Sequence, residues 1–243
     1  MEKNYNGKVE LTSSGILNCT YNSVLKSKRE YCAALDQINQ LGFPIHGDLP
    51  KNWDSLAAWS IIKYESELNK GIHKKHMRIL DAGGEYYSVI LHHLAAYGFK
   101  GLYSMNTSFN EASQTGGIKY VPGDITKTEF NDQFFDFVTC LSVLEHGVNI
   151  NQYFKEMSRI IKPNGLLIIS TDYWATPIDN LNKVAYGVPI KIFCEQEILN
   201  IIQVAGQNGL SLIVPIDLGV KNRVIRWKGL KYTFIYFSFR KDI

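Results

Sequence analysis

The chain has 243 residues, 45% of them hydrophobic and 20% charged, which is typical of a folded protein with one α/β domain and a short extension. A net charge of +3 is too small by itself to indicate nucleic-acid binding. The four cysteines form no C-x-x-C pair, which argues against a disulfide framework or a zinc site and favours a reducing compartment.

The opening residues MEKNYNGKVE contain no apolar segment of the kind found in a signal peptide. No apolar run approaches the ~20 residues that a membrane-spanning helix needs. We therefore expect a cytoplasmic protein without a membrane span.

Two helices are predicted first, over Asn22–Leu41 and Trp53–Leu68. The first is stopped by Gly42 and Pro44, and the second ends before Gly71. We expect residues 1–71 to form a helical N-terminal extension and residues 72–243 to form the main domain.

From residue 78 the pattern changes to strands that alternate with helices. The predicted strands are Arg78–Asp81, Gly101–Met105, Ile118–Val121, Phe134–Leu141, Leu166–Ser170, Leu210–Ile216 and Tyr232–Phe239. The predicted helices are Val89–Tyr97, Ile150–Ile161 and Glu195–Ala205, and the segment KPNG after the second of these reads as a loop. A repeated β-α-β order favours a parallel sheet with helices on both faces, whose ligand lies beyond the carboxyl ends of the strands.

The strongest motif is LDAGGE at Leu80–Glu85, where glycines after the first strand allow a close approach of the backbone to a nucleotide-like ligand. Asp124 follows the third strand, FDFVTCLSVLEHG contains the fourth, and RIIKPNGLLIIST contains the fifth. Over roughly residues 78–170 this combination resembles the class I S-adenosylmethionine-dependent methyltransferases, especially those that act on small molecules, lipids and sugars.

The resemblance implies a Rossmann-like, doubly wound α/β fold with a mostly parallel seven-stranded sheet, an antiparallel last strand, and S-adenosylmethionine as cofactor. It also implies that Asp81, Gly83 and Gly84 pass beneath the methionine part of the cofactor, and that Asn106 faces the ribose hydroxyls. The remaining implied cofactor contacts are Asp124 and Ile125, flanking the adenine, and Leu141 and Ser142 on the fourth strand.

The chain departs from the family pattern in two places, the D-x-G-x-G-x-G turn and the end of the second strand. Glu85 and Tyr87 stand where the second and third glycines are usual, and Asn106 stands where an acid usually ends the second strand. A neutral hydrogen bond contributes ~0.5–1.5 kcal/mol against ~1.5–3 kcal/mol for a charged one, so we expect weakened cofactor binding. A degenerate cofactor-binding protein without turnover is therefore an alternative hypothesis.

Catalysis requires alignment of the acceptor and, for an alcohol, removal of its proton. His146 is the first candidate base because it lies just past the fourth strand, and a structural or helix-capping histidine is the alternative interpretation. Asp172 and Tyr173, just beyond the fifth strand, are the second candidates, with a turn and a packed aromatic as their alternative. The histidines show no metal-binding spacing, so no metal is expected.

The leading hypothesis is O-methylation of a small hydroxylated acceptor such as a sugar or glycan precursor, with a lipid or another metabolite as the alternative. The basic segment Lys221–Lys241 either grips an anionic handle of that acceptor or is a solvated sheet edge. A nucleic-acid methyltransferase is disfavoured because Leu141–Leu144 replaces the D/N-P-P-Y/F box and no Pro-Cys occurs. A nicotinamide oxidoreductase is disfavoured because Gly83–Ser88 does not read G-x-G-x-x-G.

Overall fold

Strands and helices alternate along the chain in the computed structural model, which describes residues 8–9, 19–69, 71–180 and 182–243. The helices are α1 (Lys28–Gln40), α2 (Lys51–Leu68), α3 (Ile90–Tyr97), α4 (Ile150–Ile160) and α5 (Glu195–Gln207), with 3₁₀ turns at Lys74–His76 and Leu144–His146. The strands are β1 (Lys8–Val9), β2 (Cys19–Thr20), β3 (Ser23–Val24), β4 (Arg78–Ala82), β5 (Gly101–Asn106), β6 (Ser113–Thr115), β7 (Ile118–Pro122), β8 (Phe135–Leu141), β9 (Ile161–Tyr173), β10 (Val184–Ala185), β11 (Val188–Pro189), β12 (Leu210–Leu212), β13 (Ile225–Trp227) and β14 (Leu230–Lys241).

The principal sheet has the strand order β12-β14-β9-β8-β4-β5-β7-β6. The neighbours from β9 to β7 are parallel, whereas β14, the last strand in the chain, runs antiparallel to both β9 and β12. This topology confirms the predicted Rossmann-like sheet with an antiparallel last strand. Three short strands enlarge it, since β6 pairs with β7 while β3 and β13 pair with β14.

Helices cover both faces of the sheet, which explains why the central strand β8 is a nearly continuous apolar run. All of β8 is buried except Leu141 at its carboxyl end. Helices α1, α2 and α3 pack into the hydrophobic cluster on one face, and α4 and α5 pack into the cluster on the other. Within the described ranges, no helix combines the length and apolar character that a bilayer span requires.

The N-terminal segment is less purely helical than its sequence pattern suggests. The helix predicted to begin at Asn22 begins at Lys28, because Val24 pairs with Ile235 and so extends the sheet. Helices α1 and α2 share a core with the main sheet. The division at residue 71 stays a prediction, and residues 1–7, 10–18 and 70 of it lie outside the described part.

The fifth predicted strand is much longer than expected. Strand β9 begins at Ile161 and includes the KPNG segment, where Asn164 has a φ of 64° and the pairing with β8 shifts register. A Cβ on Gly165 would lie 2.8 Å from the Asp136 carbonyl oxygen, so only glycine permits this close approach. The strand also continues to Tyr173, paired with β14. The sixth strand, by contrast, ends at Leu212 rather than Ile216.

Candidate active site

A cleft of about 630 Å³ opens at the carboxyl ends of β4, β5, β7 and β8. This is the position at which ligands bind in doubly wound sheets, and the volume lies within the usual range for small-molecule sites. Eight of the eleven predicted site residues line it, namely Asp81, Gly83, Asn106, Asp124, Ile125, Leu141, Ser142 and His146. Gly84, Asp172 and Tyr173 are not part of its lining.

The turn after β4 requires both of its glycines for steric reasons. Gly83 has a φ of +86°, and a Cβ there would lie 2.6 Å from both γ-carbons of Val143. A Cβ on Gly84 would lie 2.2 Å from the Asp81 Oδ2 atom and 2.8 Å from the Ser104 Oγ atom. Gly84 therefore packs against Asp81 and Ser104 behind the turn, while Gly83 faces the cleft.

Asp81 presents a carboxylate that is 2% exposed. Its Oδ1 atom accepts a hydrogen bond of 2.8 Å from the Thr139 hydroxyl. Burial, with a smaller contribution from the nearby Asp54 carboxylate, raises the pKa of Asp81 to about 7. The ionised form of such a buried carboxylate is stabilised when a positively charged ligand group approaches.

Asn106 stabilises the turn from the end of β5, the position at which the pattern described above has an acid. Its Nδ2 atom donates to the Gly83 carbonyl at 2.9 Å, and its Oδ1 atom accepts from the Ser108 amide at 2.9 Å. A carboxylate at this position could not donate to that carbonyl, so the amide suits this particular turn. Glu85, in place of the second glycine, accepts from the Ser108 hydroxyl at 2.9 Å.

The other two strand ends supply the far walls of the cleft. Asp124 accepts from both the amide and the hydroxyl of Thr126, each at 2.8 Å, which orders the loop after β7. Ile125 is buried beside it and offers an apolar surface. Ser142 adopts a φ of 55° and donates its amide to the Ser170 carbonyl, while its own hydroxyl has no partner in the described part of the chain.

His146 lies in the 3₁₀ turn that follows β8 and reaches the cleft. Burial, together with the charge of Lys51, lowers the pKa of His146 to about 4. The imidazole is therefore neutral near pH 7, and its buried Nδ1 atom has no hydrogen-bond partner among the described residues. Its ring meets that of Tyr186 edge to face, with centroids 5.0 Å apart.

The second pair of predicted catalytic residues lies elsewhere than expected. Asp172 and Tyr173 are inside β9, not beyond it, because β14 pairs with this strand from Leu166 to Tyr173. The Tyr173 hydroxyl donates to the Leu218 carbonyl at 2.8 Å, and both residues belong to the hydrophobic cluster on the α4 and α5 face of the sheet. Burial and the nearby Glu145 raise the pKa of Asp172 well above its ordinary value.

Asp172 belongs to a buried acidic cluster behind the cleft. Glu145 accepts from the Thr171 hydroxyl at 2.9 Å, and burial raises its pKa to about 7. Lys51 faces both acids, and its attraction to Glu145, Asp54 and Asp172 holds its pKa above the ordinary value against the opposing effect of burial. These acids therefore share one cation.

Helix α2 contributes cleft residues that the sequence-based site did not include. The helix is placed by the buried Asn52, whose Oδ1 atom accepts from the His46 amide at 2.8 Å and whose Nδ2 atom donates back to the His46 carbonyl at 3.1 Å. This fixes Lys51 and Asp54, one turn apart, along the cleft. The signal in the sequence was the placement of these two charges beside Trp53, directly before the mostly apolar stretch 55–62.

A short hairpin closes the outer side of the cleft. Strands β10 and β11 are joined by a turn in which Tyr186 and Gly187 both have positive φ. The hydroxyl oxygens of Tyr186 and Tyr87 lie 2.7 Å apart, and the His46 ring packs against Tyr87. Aromatic rings from three separate segments therefore surround the entrance.

The chain matches known proteins mainly through this part of the fold. Residues 80–169 match the family model described as a methyltransferase domain. Among curated relatives, ubiquinone biosynthesis O-methyltransferase of Rickettsia akari is 30% identical over 137 residues, covering 54% of this chain and 50% of that protein. The Rickettsia prowazekii enzyme of the same name is 44% identical over 61 residues, covering 24% of each chain. The matches thus span half or less of these relatives.

Solved structures share the fold over a longer range. Geranyl diphosphate C-methyltransferase from Streptomyces coelicolor, solved with S-adenosyl-L-homocysteine, covers 83% of this chain and 86% of its own, with a TM-score of 0.53 and 14% identity. An S-adenosylmethionine-dependent methyltransferase from Mesorhizobium loti covers 74% of this chain and 97% of its own, with a TM-score of 0.51 and 14% identity. Residues 80–169 are thus similar to a methyltransferase domain, and the fold is one that also occurs in S-adenosylmethionine-dependent methyltransferases.

Proposed function

We propose that this protein transfers the methyl group of S-adenosylmethionine to a hydroxyl of a small acceptor, and that this hydroxyl is acidic, as in a phenol. The observation that carries the proposal is one continuous cleft that joins the glycine turn at Gly83 to the neutral imidazole of His146. Cofactor and acceptor can therefore meet in the same space.

The cofactor half of the cleft fits a sulfonium nucleoside. The turn at Gly83 and Gly84 admits no side chain, because a Cβ there would collide with Val143 or Asp81, and the buried Asp81 offers negative charge beneath it. We propose that Asn106 and Glu85 meet the ribose, and that Asp124 and Ile125 meet the adenine. S-adenosylmethionine supplies an electrophilic methyl group when bound, so this part of the protein needs only to bind and orient it.

In the acceptor half of the cleft, the candidate base His146 is unprotonated near pH 7 but weakly basic. Because the pKa of His146 is lowered to about 4, the ring accepts a proton only from a hydroxyl that is already acidic. A phenol, with a pKa of about 10, fits this requirement better than a sugar alcohol. The rings of Tyr87 and Tyr186 at the entrance also suit a planar acceptor.

The names of the curated relatives favour the same choice. They are O-methyltransferases of ubiquinone biosynthesis, and they lend no support to the sugar or glycan precursor expected from the sequence. An anionic acceptor stays a prediction. In the described part of the chain no residue of the basic segment Lys221–Lys241 lines the cleft, and Arg223 instead lies 4.4 Å from the centre of the Trp174 ring.

Binding and turnover test the proposal in two steps. Calorimetry with S-adenosylhomocysteine should give one site, and release of this product should then be measured with a catechol probe and with a glucose probe. We expect turnover with catechol only. His146→Ala should lower turnover by about 10²–10⁴-fold and leave S-adenosylhomocysteine affinity within a few-fold.

The control is His76→Ala, since His76 is exposed and lies outside the cleft. Unchanged turnover in His146→Ala would remove this residue from the mechanism. Binding without turnover on any acceptor would support the degenerate cofactor-binding alternative, and absence of binding would refute the family function.

A further inference from the structure

Helix α2 carries a buried carboxylate whose hydrogen bonding is incomplete. Asp54 is 2% exposed and lines the cleft from the first turn of the helix. Its Oδ2 atom accepts from the Ser170 hydroxyl, but its Oδ1 atom has no hydrogen-bond partner in the ranges that the structure describes. A buried carboxylate oxygen without a partner destabilises the fold, so this atom is positioned for a ligand rather than for packing.

A second buried carboxylate lies close enough to repel it. The charge of Asp54 is one of the influences that raise the pKa of Asp81, which reaches the same cleft from β4. Neither acid forms an ion pair among the described residues. Lys51 attracts Asp54, but it also faces Glu145 and Asp172, so it does not neutralise the pair.

We propose that Asp54 and Asp81 together bind the primary ammonium group at the amino-acid end of the cofactor, with Asp54 as a recognition residue contributed by the N-terminal extension. The inference rests on the proposed function, because it concerns the same ligand. It adds a residue of α2 to a site otherwise built from strand ends.

The chemistry of the ligand selects the ammonium among its polar groups. An unpartnered, desolvated carboxylate oxygen gains most from a donor that also carries positive charge. The sulfonium is charged but has no N–H, whereas the adenine amine and the ribose hydroxyls donate but are neutral. A carboxylate directed at the sulfonium would also compete with the acceptor as a nucleophile for the methyl group.

Three ligands separate this subsite from the rest of the cleft. S-adenosylhomocysteine has the ammonium, its desamino analogue lacks only that group, and 5′-methylthioadenosine lacks the whole amino-acid end. Wild-type protein should bind the first about 10- to 100-fold more tightly than the desamino analogue. Asp54→Asn should lose most of that preference and leave 5′-methylthioadenosine affinity within about twofold.

Ser170→Ala provides a second variant, since it removes the hydroxyl that donates to the Asp54 Oδ2 atom. The Ser142 amide, which also donates to this hydroxyl, keeps its bond to the Ser170 carbonyl in this variant. It should weaken S-adenosylhomocysteine selectively but by less than Asp54→Asn does. Equal losses for S-adenosylhomocysteine and 5′-methylthioadenosine in both variants would show a purely structural role and overturn the inference. Wild-type protein that binds both of these ligands equally would overturn it too, while leaving the proposed function intact. Wild-type protein that binds neither would refute the proposed function itself.

Discussion

We expect Asp81→Asn to stabilise the fold and, at the same time, to weaken binding of the cofactor. Burial raises the pKa of Asp81 from 3.8 to about 7, so the ionised carboxylate destabilises the folded state. A shift of about 3 units corresponds to roughly 4 kcal/mol when the group is fully ionised. Asparagine carries no charge and keeps an oxygen that accepts from the Thr139 hydroxyl.

The sign of the pH dependence follows from the direction of the shift. Because the folded pKa lies above the unfolded one, the wild-type penalty is absent below about pH 4 and grows until the pH passes about 7. Urea unfolding without ligand should show Asp81→Asn to be the more stable protein, with an advantage that widens by roughly 2 kcal/mol between about pH 5.5 and about pH 8. S-adenosylhomocysteine affinity should fall in the same variant.

Asp36→Asn is the matched control, because Asp36 is exposed on α1 and lies outside the cleft. As a surface substitution it should change the free energy of unfolding by no more than about 0.5 kcal/mol at either pH. If the Asp81→Asn advantage stayed constant between the two pH values, the carboxylate would not be desolvated as described. If the variant bound S-adenosylhomocysteine as tightly as wild type, Asp81 would not contribute to the cofactor site.

Three further changes test a glycine of the turn after β4, a buried histidine and the entrance of the cleft. Gly84→Ala places a Cβ 2.2 Å from the Asp81 Oδ2 atom, so it should destabilise by roughly 1–3 kcal/mol in urea unfolding and abolish calorimetric binding of S-adenosylhomocysteine. Burial lowers the pKa of His93 to about 4, so wild-type stability falls as the pH drops from about 6.5 toward 4; His93→Gln should remove roughly 2 kcal/mol of the loss measured between about pH 7 and about pH 5. Tyr186→Phe removes the contact with the Tyr87 hydroxyl at an exposed position, so the melting temperature should barely move while the acceptor KM rises several-fold, and an unchanged KM would exclude the hairpin from acceptor binding.

The order of strands and helices was predictable because it depends on local patterns. Buried parallel strands such as β8 appear in the sequence as apolar runs, and the glycines after Leu80 mark the first turn. The extent of β9 was not predictable in the same way. Asn164 and Gly165 form a turn-like sequence, yet they lie within the strand because Ile161 and Leu166 on either side of them both pair with β8.

The residues of the cleft differ in the same way in how far the sequence could predict them. Residues at strand ends, such as Asp81 and His146, could be identified because the topology brings strand ends together. Asp54 could not, since its position depends on a hydrogen bond to Ser170, which lies 116 residues away in the chain. Tyr186 likewise meets Tyr87 across 99 residues, through a hairpin whose docking no local pattern specifies.

The two buried acids of the cleft bear on whether the cleft binds a ligand. Asp54 and Asp81 have no ion-pair partner in the described part of the chain, and burial raises the pKa of both. Neutral residues at these two positions would stabilise the empty protein, because each acid is otherwise either ionised without an ion-pair partner among the described residues or protonated. A chain that had lost its ligand would gain stability by losing these acids, together with the unpartnered nitrogen of His146. These three groups line one cleft, and together they are the features expected of a site that binds a cation beside a group able to accept a proton.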